Sequence, residues 1–416
     1  MMDIVYAFCV LFILVGCTRN IKRDNRVTAI DIESKVYNPQ KIYLSDLTEG
    51  VEYIPLNTSE DIFLRGVYQL SKYKEFLFIS DLNNCILYNI DGTFVTKIGR
   101  QGSGPGEYRY VSRIVISPAG RLYIQSLSDL LEYDLNGKFI RKYKQIGKPG
   151  LWSIQSWLPL NDSLFFGQIP NFSGNEDSRA LVYDVYGNIK FEFKNYRKFQ
   201  PQRIEINNFA NQANIYSLNN LVYFKERVND TLFYLTDKFE LHPKYVFNLG
   251  NLSIPYNDFF QDKSSNNQFG YINNIFETEN YILIDFISNI PQLKRPEPVV
   301  EDGIEKWYFT NKILGIYQKE IARLEFSSIS KTEDKLSRTG LYNDIDGGPK
   351  FYPEYVIEDS ILIMTIEALR LKEYVASESF KTYIPKFPNK KKELEMLAAC
   401  LKETDNPVLV LVTFKK

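Results

Sequence analysis

The sequence has one histidine, four cysteines and no excess of either charge sign: 50 Lys and Arg stand against 51 Asp and Glu, a formal net charge of -1 in 416 residues. Each shortage closes off a class of chemistry. Zinc sites commonly draw on several His or Cys ligands, and a Ser-His-Asp or Cys-His mechanism would have to run through His242, which precedes Pro243 in what reads as a turn. With no basic surplus to neutralise phosphates, nucleic acid is not expected as a partner. The run Lys390-Lys391-Lys392 is followed by Glu393 and Glu395 and reads as a solvated helix face. Long apolar runs are also scarce. Ile4 to Gly16 is uncharged and mostly apolar, but too short for a membrane-spanning helix, which needs roughly 20 residues.

That short run fits the apolar region of a signal peptide over residues 1–16. It ends in Leu14-Val15-Gly16-Cys17, followed by polar Thr18-Arg19-Asn20, and resembles a bacterial lipobox. The resemblance implies cleavage before Cys17 and acylation of Cys17, with several acyl chains giving a firm anchor. One departure is Asp3 in a start region that has no Lys or Arg. Residues 17–41 then read as a tether. The residues after Cys17 lack an acidic run, which favours the periplasmic face of the outer membrane over the cell surface. Of the other cysteines, Cys9 would leave with the signal. Cys85 and Cys400 read as small buried hydrophobes, although the arrangement below also puts them in neighbouring units where a bridge could form.

What the chain has in abundance is aromatic residues, 29 Tyr and 29 Phe, which favour half-buried strands. A repeat organises them. Tyr88-Asn89-Ile90-Asp91-Gly92-Thr93-Phe94 recurs as Tyr133-Asp134-Leu135-Asn136-Gly137-Lys138-Phe139 and as Tyr183-Asp184-Val185-Tyr186-Gly187-Asn188-Ile189. A weaker copy at Tyr234-Leu235-Thr236-Asp237 lacks the glycine. A period of about 40 to 50 residues with several strands per unit marks the blades of a propeller. Asp91-Gly92 and Asn136-Gly137 are tight-turn dipeptides, and apolar strands flank each turn. Adding the two upstream strands of each copy gives four antiparallel strands per blade. One blade cannot bury both faces, so blades must pack around an axis.

The pattern predicts an all-β, six-bladed propeller over residues 42–416. Blade four spans Gln212 to Leu249. Blade five uses Gly270 onward, Tyr281 to Phe286, Lys306 to Thr310 and Lys312 to Lys319, with Ile290 to Gly303 as a surface insertion. Blade six uses Tyr352 to Ile357, Ile361 to Ile366 and Val408 to Lys415, interrupted by one helix at about Lys390 to Glu403. Blade six lacks an outer strand, and Val51 to Leu56 is left over to supply it, so that the two chain ends close the ring.

The segment Gly99-Arg100-Gln101-Gly102-Ser103-Gly104-Pro105-Gly106-Glu107-Tyr108 resembles the glycine-rich junction of NHL-repeat propellers. Asn343-Asp344-Ile345-Asp346-Gly347-Gly348-Pro349, Leu371-Lys372-Glu373-Tyr374 and Asn406-Pro407-Val408-Leu409 are similar to the six-bladed β-propeller lipoproteins of Bacteroides-type bacteria. The resemblance implies a fold and an envelope location but no settled activity.

Candidate ligand-binding residues follow from types and spacing. Asp344 and Asp346 at i, i+2 beside two glycines could meet one cation, calcium being the fitting ion, or one sugar; the alternative is a turn braced by Asp side chains. Arg100, Glu107 and Arg113 flank the junction and inner strand of blade two and could line the central mouth, or form blade-to-blade ion pairs. Trp152 could stack on a sugar, whereas Trp157 and Trp307 read as core. No catalytic set, cofactor or metal is expected. The chain reads first as a membrane-anchored, monomeric binding or scaffold module for a glycan, peptide or envelope protein. A lactonase-like hydrolase or lyase, using carboxylates and a divalent ion in the channel, is the alternative, and a platform for docking partners is a third.

Overall fold

The computed structural model describes residues 26–60, 62–127, 129–143, 154, 156–171, 173–199, 213–256, 258, 268–290, 298–301, 304–307, 312–329 and 339–416. Within them the repeat folds as read. In each strong copy the glycine lies in the left-handed region, with φ of 85° at Gly92, 84° at Gly137 and 85° at Gly187. The aspartate before it accepts backbone amides across the turn: Asp134 from Asn136 and Lys138, Asp184 from Tyr186 and Asn188. The weak fourth copy makes the same turn without glycine by placing Phe239 at φ 59°, a conformation that few side chains adopt.

Six four-stranded antiparallel sheets form a ring. Blade one is Gln69–Tyr73, Phe76–Ser80, Cys85–Asn89 and Phe94–Lys97; blade two is Arg113–Ile116, Leu122–Ser126, Asp129–Tyr133 and Phe139–Tyr143. Blade three is Trp157–Pro159, Leu164–Gln168, Ser178–Asp184 and Ile189–Lys194; blade four is Ala213–Leu218, Leu221–Glu226, Thr231–Leu235 and Leu241–Asn248. Blade five is Gly270–Glu277, Tyr281–Ser288, Lys312–Gln318 and Arg323–Phe326. Blade six is Tyr355–Glu358, Ile361–Ile366, Val408–Phe414 and, outermost, Thr48–Pro55 from the other end of the chain. Val51 faces Val412 and Tyr53 faces Val410 across that closing ladder, so the predicted join of the two ends is present.

Four readings are corrected. The strand expected from Lys306 falls in a separate hairpin, Pro298–Glu301 with Ile304–Trp307, and blade five takes Arg323–Phe326 as its fourth strand. The turn into that strand hid because Ala322, not glycine, holds the positive φ. His242 lies within the outer strand of blade four, exposed and 3.1 Å from Glu240 Oε2. Pro243 is tolerated there because the strand's far edge is paired only from Tyr245 onward. That far edge carries Thr28–Asp31 as a parallel fifth strand, so the ordered body starts well before Ile42. Finally, blade six holds three helices rather than one: Ala368–Ala376, Glu378–Thr382 and Pro388–Cys400. Leu371, Phe380 and Leu394 are their buried anchors, and Ser377 caps the middle helix through Phe380 N.

Side-chain hydrogen bonds tie each blade to the next. Ser71 Oγ donates to Ile114 O, Trp157 Nε1 to Gln125 Oε1, Ser156 Oγ to Ala213 O, Tyr216 to Glu277, Tyr352 to Asp285, and Tyr355 OH to Val67 O. Between blades two and three a wedge of Tyr123, Trp157, Phe165 and Tyr183 packs with mostly edge-on rings.

Candidate functional site: the central channel

Every blade is entered by its innermost strand, so the six inner strands run in one sense along the axis. Residues early in each strand therefore sit toward one mouth and late residues toward the other. Sheet faces turn to neighbouring blades, which leaves one unpaired backbone edge per inner strand to wall the channel. The cavity so formed has a volume of ≈ 520 Å³ and is lined by residues of all six blades.

Most charged groups in that lining already have partners. At the late end, Lys72 Nζ lies 2.6 Å from Glu358 Oε1 and joins blade one to blade six. Glu277 is buried, with Oε1 2.6 Å from Lys319 Nζ and Oε2 accepting the Tyr216 hydroxyl at 2.5 Å. Glu354 Oε2 accepts Thr365 N at 3.1 Å and Thr365 Oγ1 at 2.6 Å; burial raises its carboxyl above the usual range.

Arg113 differs. It opens the inner strand of blade two and pairs in register with Gln125, so its side chain shares the face that turns to blade three. Gln125 Nε2 donates to Ile154 O there. Arg113 Nε is buried without a hydrogen-bond partner. Its guanidinium forms no ion pair with any described residue. The ionisable neighbour it faces is Tyr183, and burial pushes its pKa down to about 10, so it stays charged at neutral pH.

The other candidates lie elsewhere. Arg100 and Glu107 form an ion pair at 2.6 Å on the outer junction loop, where Glu107 Oε2 also accepts Gly104 N at 2.7 Å. They brace the glycine-rich turn and are absent from the channel lining. Asp344 and Asp346 do not converge on one point. Asp344 accepts Ser45 N and Ser45 Oγ at 3.1 and 2.6 Å and lies 2.9 Å from Lys386 Nζ. Burial alone would raise its pKa, but these partners hold it below the carboxylate range. Asp346 accepts Gly348 N at 2.7 Å and the Tyr53 hydroxyl at 3.3 Å, and burial pushes its carboxyl up to about 6. Each fastens the N-terminal segment to blade six. Among the described residues no three His, Cys, Asp or Glu side chains are grouped to hold a metal ion. Cys17, Trp152 and the side chain of Trp307 lie outside the described residues; Trp157 is core. Cys85 is buried, Cys400 is exposed, and both are free thiols.

Sequence reasoning missed Glu132, which is fully buried between blades two and three. It meets Arg121 Nη1 at 2.7 Å and Arg141 Nε at 2.8 Å and accepts the Tyr143 hydroxyl. The alternation of Glu132 with apolar neighbours in an otherwise buried strand was the available signal. It reads as a structural hub, since all its partners are its own blade's residues.

Fold and channel together define a six-bladed β-propeller with a polar axial cavity. The chain belongs to the family described as a domain of unknown function, DUF4934, whose model matches residues 27–413. It is similar to a candidate exported protein from Bacteroides fragilis, at 19% identity and a TM-score of 0.67, over 94% of this chain and 100% of that one. A member of the DUF4221 family from Bacteroides vulgatus aligns at 13% identity and a TM-score of 0.50, over 89% of this chain and 97% of that one. These likenesses establish the fold. No functionally curated protein is detectably similar. No helix of the described residues is long and apolar enough to cross a membrane.

Proposed function

We propose that this chain is a lipid-anchored, non-enzymatic binding propeller of the cell envelope, whose ligand enters the central channel. The observation that carries the reading is the lining itself. Three of its four acids, Glu277, Glu354 and Glu358, are committed to Lys319, Thr365 and Lys72, and the fourth, Asp359, is exposed. They brace the ring and are not arranged around a reacting atom, while backbone edges and Arg113 remain to contact a guest. A cavity of this size and polarity suits a small molecule or the end of a chain, with a glycan or peptide as the source. The lipobox-like Leu14-Val15-Gly16-Cys17 supports anchoring at the outer membrane, with the periplasmic face favoured.

Glycan-array and affinity-gel binding tests the channel reading when native protein is compared with Ser217→Trp, which fills the channel from an exposed lining position. Binding by the native protein that the filled variant loses is expected. Equal binding by both would move the site off the axis. Metabolic labelling with a fatty-acid analogue tests the anchor: Cys17→Ser is expected to abolish the label and release the chain from the membrane fraction.

A further inference from the structure

Among the described side chains that line the channel, only Arg113 has a buried polar atom without a hydrogen-bond partner. A guanidinium drawn out of water is costly unless an anion compensates it. Other cations in this ring have such an anion: Lys72 has Glu358, Lys319 has Glu277, and Arg121 and Arg141 share Glu132. At the early end of blade two's inner strand, Arg113 has none among the described residues. Its Nε is buried and unpaired, and no described carboxylate faces the group. The polar groups near it are amides and hydroxyls. Gln125 is held by Trp157 and Ile154 O, Ser156 by Ala213 O, and Gln69 and Asn214 lie on the neighbouring walls.

A second arginine lies toward the same end but outside the channel lining, and unlike Arg113 it has a carboxylate, Asp285, acting on it. Arg227 follows the second strand of blade four and stands 5.9 Å from the ring of Tyr271, near the start of blade five's inner strand. Its Nε is also buried without a hydrogen-bond partner. Because the inner strands run in one sense, Arg113 and Tyr271 mark the same end of the axis. The acids Glu277 and Glu358 are late in their strands and mark the other. Arg113 thus lies toward the early mouth, where the lining carboxylate Glu354 is held by Thr365, while Glu277 and Glu358 with their lysines lie toward the late mouth.

We propose that Arg113 is the anion-recognising residue of this channel and that its ligand is a small polar molecule carrying a carboxylate, as on a uronic acid or a peptide C-terminus. The inference rests on the channel reading above and adds the ligand's chemistry. The planar fork of a guanidinium matches a carboxylate through two parallel N–H donors. The amides and backbone edges beside it suit the hydroxyls or peptide groups of the ligand body.

Calorimetric titration decides the matter with four probes: D-galacturonate against D-galactose, and glycylglycine against its C-terminal amide. Native protein, Arg113→Gln, Arg113→Lys and Ser217→Trp are compared, with melting curves confirming that each is folded. At least one acid probe is expected to bind the native protein at roughly tenfold or more higher affinity than its neutral counterpart. Which acid it is distinguishes a sugar from a peptide source. Arg113→Gln is expected to cut that affinity roughly 10- to 100-fold, and Arg113→Lys less, since it keeps charge without the fork. Equal binding of acid and neutral probes that Ser217→Trp abolishes would overturn the carboxylate assignment and leave the channel reading standing. Acid binding unchanged in both Arg113→Gln and Ser217→Trp would overturn both. Absence of binding by all four probes at millimolar concentration would overturn the assignment, and the array comparison would then judge the channel alone.

Discussion

Asn406 Oδ1 accepts the backbone amide of Leu64 at 2.7 Å, joining residues 342 positions apart. The same fully buried side chain donates from Nδ2 to Asn57 O at 2.7 Å and to Ile62 O at 2.9 Å. One amide thus satisfies three backbone groups of the segment that leads from the closing strand into blade one. It stands two residues before the strand that pairs with Thr48–Pro55, so it locks the seam where the ring's two ends meet. Removing it leaves the buried Leu64 amide without its acceptor and takes a donor from the carbonyls of Asn57 and Ile62. Asn406→Ala is expected to lower unfolding free energy by about 2–4 kcal/mol, read as a shift of the urea midpoint with little change in slope.

Glycines at equivalent turns should not be equivalent. Gly92 and Gly137 share nearly the same φ, so backbone strain on substitution is common to both. Their surroundings differ. A Cβ at Gly92 would meet Pro55 O of the closing strand at 2.2 Å, while at Gly137 the nearest atom is the end of the Ile98 side chain at 3.0 Å. Gly92→Ala is expected to be more destabilising than Gly137→Ala by about 1–3 kcal/mol. Equal costs in denaturant titrations would mean that the seam does not press on this turn.

Glu132 holds two arginines and a tyrosine in one blade. Burial opposes its ionisation, but Tyr143, Arg141 and Arg121 outweigh that and hold the carboxyl below its usual range. A carboxylate depressed on folding stabilises the protein above the unfolded pKa, and that stability is lost as pH falls through the folded one. Glu132→Ala is expected to cost about 1–3 kcal/mol at neutral pH: the buried Tyr143 hydroxyl loses its acceptor, while the two half-exposed guanidinium groups are partly compensated by water. The gap between variant and native protein should narrow in acid, as measured by chemical denaturation from pH 7 down to about 3.

Asp346 carries the opposite sign. Its carboxyl is pushed up to about 6 by burial, only partly offset by Gly348 N and Tyr53. In the unfolded chain it ionises near 4. Below that value both states hold the proton and the group is neutral in the balance. As pH rises toward 6 and above, the folded state bears a desolvated charge and stability falls, by an amount on the order of 2–3 kcal/mol. Asp346→Asn keeps an acceptor for Gly348 N and should flatten this decline between pH 4 and 7. A variant whose melting temperature tracks the native protein across that window would contradict the assignment.

Much of the wheel could be read from Tyr-x-x-x-Gly periodicity because glycine and aspartate at a two-stranded turn leave a local mark. Where the turn uses Phe239 or Ala322 instead, the mark fades, so the pattern ends blade five at Lys312 to Lys319, counts Lys306 to Thr310 as a strand of it and misses Arg323–Phe326. The closing strand was legible by elimination, since Val51 to Leu56 had no partner nearby. The parallel strand Thr28–Asp31 left no such trace: four residues with one buried side chain carry too little pattern. Site residues were harder. Arg113 was placed on an inner strand by the repeat and does line the channel. Arg100 and Glu107 were adjacent in sequence to the same junction, yet their carboxylate–guanidinium pair turns outward. Whether a charge is paired depends on partners such as Lys319 for Glu277, 42 positions away by residue number, which no local pattern encodes.

The ring is shut around its channel by the two ends of the chain. Hydrogen exchange of the full chain tests the closure most directly. Amides of Thr48–Pro55 are predicted to exchange as slowly as those of Val408–Phe414, because they form one ladder. Fast exchange over Thr48–Pro55 beside a protected Val408–Phe414 would mean that blade six has an open edge and that the wheel is not closed.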